Sequence, residues 1–126
     1  MKEAMKLLFI VFMYSCAVQG PIPGGEVDKT GPQLIRVHPE NNSTTLQEND
    51  KITFYFNESI DPNSVYDAFK INNDKYKIRV IGKRVIIKPK DKWDAKSILN
   101  ISVSRNLMDY YKNPISSPLN FHFSLG

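Results

Sequence analysis

Thiols are almost missing from this chain, whose 126 residues include a single cysteine, Cys16. One cysteine cannot staple a fold internally. Histidine is scarce as well. His38 and His122 lie far apart, with no further His, Cys or carboxylate at ligand spacing. No zinc site is expected, and both rings should face solvent. There is no G-x-S-x-G, and neither histidine has a serine and a carboxylate placed for nucleophilic catalysis. Gly24 and Gly25 are adjacent but follow no strand, so they make no phosphate cradle. No stretch carries the apolar spacing of a long amphipathic helix. The N-terminal apolar run, Leu7 to Met13, is well short of the ~20 residues that cross a bilayer. These gaps leave no cofactor and no enzyme activity to expect.

Charge is present but mild. Lysine and arginine number 17 against 13 acids, a formal +4. The cations are interleaved with acids and with β-type apolar residues. A solvated surface is the expectation, not a nucleic-acid footprint, which needs clustered charge. The acids Glu58, Asp61, Asp91, Asp94 and Asp109 fall at or near turns. Calcium wants several oxygens at once, but no D-x-D-x-D pattern gathers them, and turn chemistry accounts for each. Glu58 and Asp61 as a glycosidase-like pair would need a cleft that so small a domain seldom builds.

What the chain does have begins at its start. Lys2 and Lys6 precede the apolar run, and Tyr14-Ser15-Cys16 follows it. A basic start, a short apolar core and a small residue before the cut mark an export signal over residues 1–15. Cys16 would then be the lipid-carrying first residue of a lipoprotein. Ser15 suits a lipobox and Met13 passes, whereas Tyr14 is bulky for it. Ordinary cleavage after Val18-Gln19-Gly20 is the alternative, and it would leave the chain secreted or periplasmic. Residues 16–31 are polar and rich in Gly and Pro, which suggests a flexible tether behind an anchor. Palmitate-type chains contribute ~0.8 kcal/mol per buried methylene, so a multiply acylated cysteine would hold firmly.

From Leu34 onward, short strands alternate with turn clusters. Ile52, Phe54 and Phe56 share one face. Tyr76, Ile78 and Val80 do the same, as do Val85 with Ile87, Leu99 with Ile101 and Val103, and Phe121 with Phe123 and Leu125. Period two with β-branched and aromatic residues is a strand signal. Gly82-Lys83 predicts a tight hairpin. Asp61 or Ser64 is placed to cap one helical turn over Val65 to Ala68. Trp93 is expected to cover one end of the core. About seven such strands predict an all-β, antiparallel Greek-key sandwich over residues 32–126.

The run GPQLIRVHPENNSTTLQENDKITFYFNESIDPNSV resembles the opening of the bacterial Ig-like domain first known from S-layer proteins. Its P-x-hydrophobic strand is matched at Pro32 to Val37, its turn at Pro39 to Asn42, and its F-(S/N)-E-x-(I/V)-D at Phe56 to Asp61. Later, Asp109 to Ile115 resembles its D-x-x-G-N-x-hydrophobic loop, and Phe121-His122-Phe123 its final strand. Two positions depart from the pattern. Lys112 stands where the family usually has Gly, and Leu99 where it often has Tyr. The lead-in CAVQGPIPGGEVDKTGP is similar to that of outer-membrane lipoproteins. Ala17, rather than Asp, after the cysteine resembles those sent to the outer membrane. The resemblance implies a monomeric Ig-like domain with a non-catalytic structural, adhesion or assembly role. Its partners would be the membrane, through Cys16, and an envelope protein or glycan, with no nucleic acid. Exposed Tyr110 and Tyr111 make a carbohydrate-binding module the first alternative. An accessory subunit of a larger surface assembly is the other.

Overall fold

The alternation along each segment dictates the architecture. Every strand with one apolar face must bury it against another sheet. A computed structural model describes residues 30–126. The signal segment and Cys16 lie outside the described residues. The strands are β1 (Leu34–His38), β2 (Ile52–Phe56), β3 (Phe69–Ile71), β4 (Tyr76–Ile81), β5 (Arg84–Pro89), β6 (Ile98–Val103) and β7 (Leu119–Ser124), with one helical turn, α1 (Val65–Ala68). They form a four-stranded sheet, β1-β2-β5-β4, and a three-stranded sheet, β3-β6-β7. All neighbours within each sheet run antiparallel. Four plus three in this order is the Ig constant-type arrangement, so the predicted sandwich is met.

The core fills the space between the sheets. Phe54 of β2 sits at its centre, with ring centroids 5.3 Å from Phe69 and 5.0 Å from Phe121, both edge-on. Ile52, Ile87, Leu99, Ile101, Val103 and Phe123 close around it. Leu99 packs as an apolar core residue, as expected where the family's tyrosine is missing. Trp93 is fully buried, and its Nε1 donates to the Asp50 carbonyl at 2.8 Å.

Turns follow from local chemistry. Gly82 has φ +59 in the two-residue link between β4 and β5, a conformation glycine adopts without cost. Asp61 caps a 3-10 turn over Pro62–Ser64 by accepting from the Asn63 amide. Ser64, at the cap position of α1, instead donates its hydroxyl to the Asp61 carbonyl at 2.8 Å. Strand edges are blunted in different ways. The β1–β2 register shifts between Leu34 and Arg36, leaving Ile35 as a bulge. The outer edge of β7 is covered by residues 42–46, with Asn42 N donating to His122 O and Ser124 N to Ser43 O, both at 2.8 Å. Among the described residues no helix is long and apolar enough to cross a membrane.

Strand directions divide the loops into two sets. The N-terminal entry, residues 57–68, the 82–83 turn and residues 104–118 share one end, while residues 39–51, 72–75 and 90–97 share the other.

Candidate functional site

The entry end holds the two tyrosines singled out from sequence. Tyr110 is 59% and Tyr111 71% exposed. They line an open depression of about 500 Å³ together with Asn57, Glu58, Ser59, Lys83 and Asp109. Three loops are tied together to make it. The Ile60 amide donates to Gly82 O at 3.1 Å, and the Asp61 amide to Met108 O at 2.9 Å. The Asn57 amide donates to Gln33 O at 3.0 Å, while the Gln33 amide returns a bond to Asn57 Oδ1 at 2.8 Å. Gly31 lies so close that a Cβ there would sit 1.7 Å from Pro114 O. The start of the described chain is thus bound to the tyrosine loop.

Asp109 organises that loop. Its carboxylate, on a residue only 2% exposed, accepts from the amides of Tyr111 at 2.8 Å and Asn113 at 2.9 Å, and from Asn113 Nδ2 at 3.2 Å. Burial alone would push its pKa up. The Asn113 amide and side chain, the Glu58 side chain and the Tyr111 amide overcome this and hold it below the usual carboxylate value. Asp61 is held low as well, first by the Lys112 ammonium bonded to it and then by the Asn63 amide. The Lys112 Nζ lies 2.7 Å from Asp61 Oδ2. Each carboxylate is thereby taken up by N–H donors, and no group of three or more His, Cys, Asp or Glu among the described residues is arranged to hold a metal ion. His38 and His122 both face solvent, and His122 Nδ1 bonds to Asn100 Oδ1.

Lys112 adopts φ +67, the left-handed conformation that explains the glycine usual at this place. A lysine there costs roughly 1 kcal/mol, offset in part by an ion pair whose cation is exposed and contributes about 0.5 kcal/mol. Lys112→Gly is therefore expected to unfold thermally within about 0.5 kcal/mol of the parent. Lys112→Ala keeps the strain and loses the pair, so it should fall about 1 kcal/mol below the glycine variant. A glycine variant less stable than the alanine one would contradict this account.

A second feature was not legible from residue order. Five of the outward residues of the four-stranded sheet are basic, Arg36 on β1, Lys77 and Arg79 on β4, and Arg84 and Lys88 on β5, and none is acidic. A groove of about 820 Å³ runs along the β4 side toward α1 and β3, lined by Val65, Tyr66, Phe69, Tyr76 and Ile78 among others. Neither the groove nor the cationic face was anticipated, because both arise from strand pairing.

No curated protein matches the chain. Among solved structures, an L,D-transpeptidase from Mycobacterium smegmatis superposes with a TM-score of 0.57 at 19% identity, over 77% of this chain and 41% of that one. The chain thus corresponds to less than half of that protein's length, and the likeness is one of fold. The sequence profile of the bacterial Ig-like domain matches residues 28–125, nearly the whole of the described sandwich. The chain belongs to the bacterial Ig-like domain family.

Proposed function

We propose that this chain is a cell-envelope lipoprotein, anchored through acylated Cys16 to the outer membrane, whose Ig-like domain serves as a non-catalytic structural, adhesion or assembly module. The observation that carries the reading is the order of parts. A basic-then-apolar leader ends in the only cysteine, and the family match begins twelve residues later, at residue 28. Two hydrogen-bonded sheets hold loops rigidly at each end, which suits a presenting module. The N-terminus enters at the tyrosine end, so the loops of residues 39–51, 72–75 and 90–97 lie at the far end of the strands from the attachment point.

Cys16→Ala tests the anchor. The parent is expected in the membrane fraction, labelled by a palmitate analogue, and the variant unlabelled and soluble. A variant that stays with the membrane overturns the anchor. The exposure of Tyr110 and Tyr111 beside Asn57 and Lys83 favours one further reading, a carbohydrate-binding module. Specific glycan binding that disappears in Tyr110→Ala would select it.

A further inference from the structure

The alternation that fills the core also sorts the charges. On the outer face of the four-stranded sheet, the register sets side chains in rows. One row runs Arg36, Tyr55, Arg84, Ile81, and the next runs His38, Thr53, Ile86, Arg79. Lys88 and Lys77 stand opposite each other in a third. The five Lys and Arg side chains are exposed, and these four strands contain no Asp or Glu. None of the five forms an ion pair with a described residue, whereas Lys112 does, with Asp61. The Arg36 guanidinium lies 4.2 Å from the centre of the Tyr55 ring. Like charges directly opposed across strands repel, so the Lys77–Lys88 pair is relieved by an anion laid over it. The other sheet's outer face is different in kind: Asn100, Ser102, Asn120 and His122, with Lys70 as its cation.

We propose that this cationic face docks on an anionic lipid bilayer, a step that rests on reading the chain as an envelope module held near a membrane. The surface has the right shape. Strands about 4.8 Å apart and rows about 6.7 Å apart spread the cations over a patch roughly 15 Å on a side. It also has the right place. The N-terminal segment enters β1, an edge strand of this same sheet, and Leu34 is 18 residues beyond Cys16. The covalent length of 18 residues allows a separation of up to about 60 Å, enough to let the face meet the surface that holds the anchor. Tyr55 and Ile86, set among the cations, suit the headgroup level, where amphipathic rings accumulate.

The test uses the full chain with Cys16→Ser throughout, so that no acyl anchor contributes and failure of the anchor reading cannot affect the result. Co-sedimentation is measured on neutral phosphatidylcholine vesicles and on vesicles containing phosphatidylglycerol. A face variant, Lys77→Gln with Arg79→Gln and Lys88→Gln, is compared with an off-face variant of equal net charge, Lys70→Gln with Lys92→Gln and Lys96→Gln. Each cation at an anionic surface is expected to change partitioning about fivefold, so the face variant should lose about 100-fold on anionic vesicles. The off-face variant should lose far less, and high salt should abolish the preference for anionic vesicles. All changes are at exposed positions, and matching thermal melts establish that each variant is folded. Equal losses in both variants, or equal parent binding to neutral and anionic vesicles, would overturn the proposal. Tighter retention on duplex DNA or an acidic polysaccharide at the same salt would replace the bilayer as the occupant.

Discussion

Phe54→Ala should lower stability by about 4 kcal/mol, enough to lower the melting temperature by roughly 20 °C. Phe54 lies on β2 of one sheet, yet its two ring partners, Phe69 and Phe121, belong to β3 and β7 of the other. Truncation removes the transfer free energy of a fully buried ring and two edge-on contacts, each contributing ~1 kcal/mol beyond burial. It also leaves a cavity between layers that hydrogen-bonded strands cannot collapse to fill. A domain of this size has only about 5–15 kcal/mol in total. Phe54→Leu keeps most of the volume and should cost about 1.5 kcal/mol. Chemical denaturation with an unchanged denaturant slope is the check. An alanine variant that melts within a few degrees of the parent would mean that the sheets close over the gap, contrary to the packing described.

The strands were legible because each carries its own evidence. Ile52, Phe54 and Phe56 alternate with polar neighbours and are buried to the last residue. Gly82 announces the hairpin, and Asp61 the turn, through backbone demands that few other residues meet. Pairing was less legible: the Gly82-Lys83 hairpin joins β5 to β4, but nothing in the residues of β5 says that its other edge must meet β2. The charged face illustrates the consequence. Lys77 and Arg79 are separated by apolar Ile78, and Arg84 and Lys88 by three largely apolar residues, so along the chain the cations look diluted. Period two turns Ile78, Val85 and Ile87 inward and leaves the cations on the outer face with Ile81 and Ile86, and the sheet then sets Lys77 directly opposite Lys88. Interleaving in sequence becomes segregation in space. The depression at Tyr110 and Tyr111 was legible in part. Exposure of the tyrosines could be expected from the turn, but the apposition of Asn57 and Lys83 depends on the amide bonds that tie residues 57–61 to the 82–83 turn.

Asp109→Ala should cost about 3 kcal/mol, since the carboxylate's bonds to buried or half-buried amides contribute more than neutral ones do. The Tyr111 and Asn113 amides and the Asn113 side chain lose one acceptor group together. The loop they shape is the one that Gly31 packs against and that pairs Lys112 with Asp61. Asp109→Asn retains one acceptor oxygen and should cost less, about 1.5 kcal/mol. The two variants also differ from the parent in acid. Folding holds both Asp109 and Asp61 below their ordinary pKa. A carboxyl that is more acidic folded than unfolded stabilises fully above its unfolded value of about 3.9, and that contribution drains away as pH falls through the lower folded value. The parent's melting temperature should therefore be level down to about pH 4 and fall below it. The Asp109→Asn curve should fall less steeply, with the remaining slope carried by Asp61. An Asp109→Asn variant with the parent's full acid slope would show that Asp109 is not held low in the folded chain, and that the tyrosine loop is closed by something other than its carboxylate.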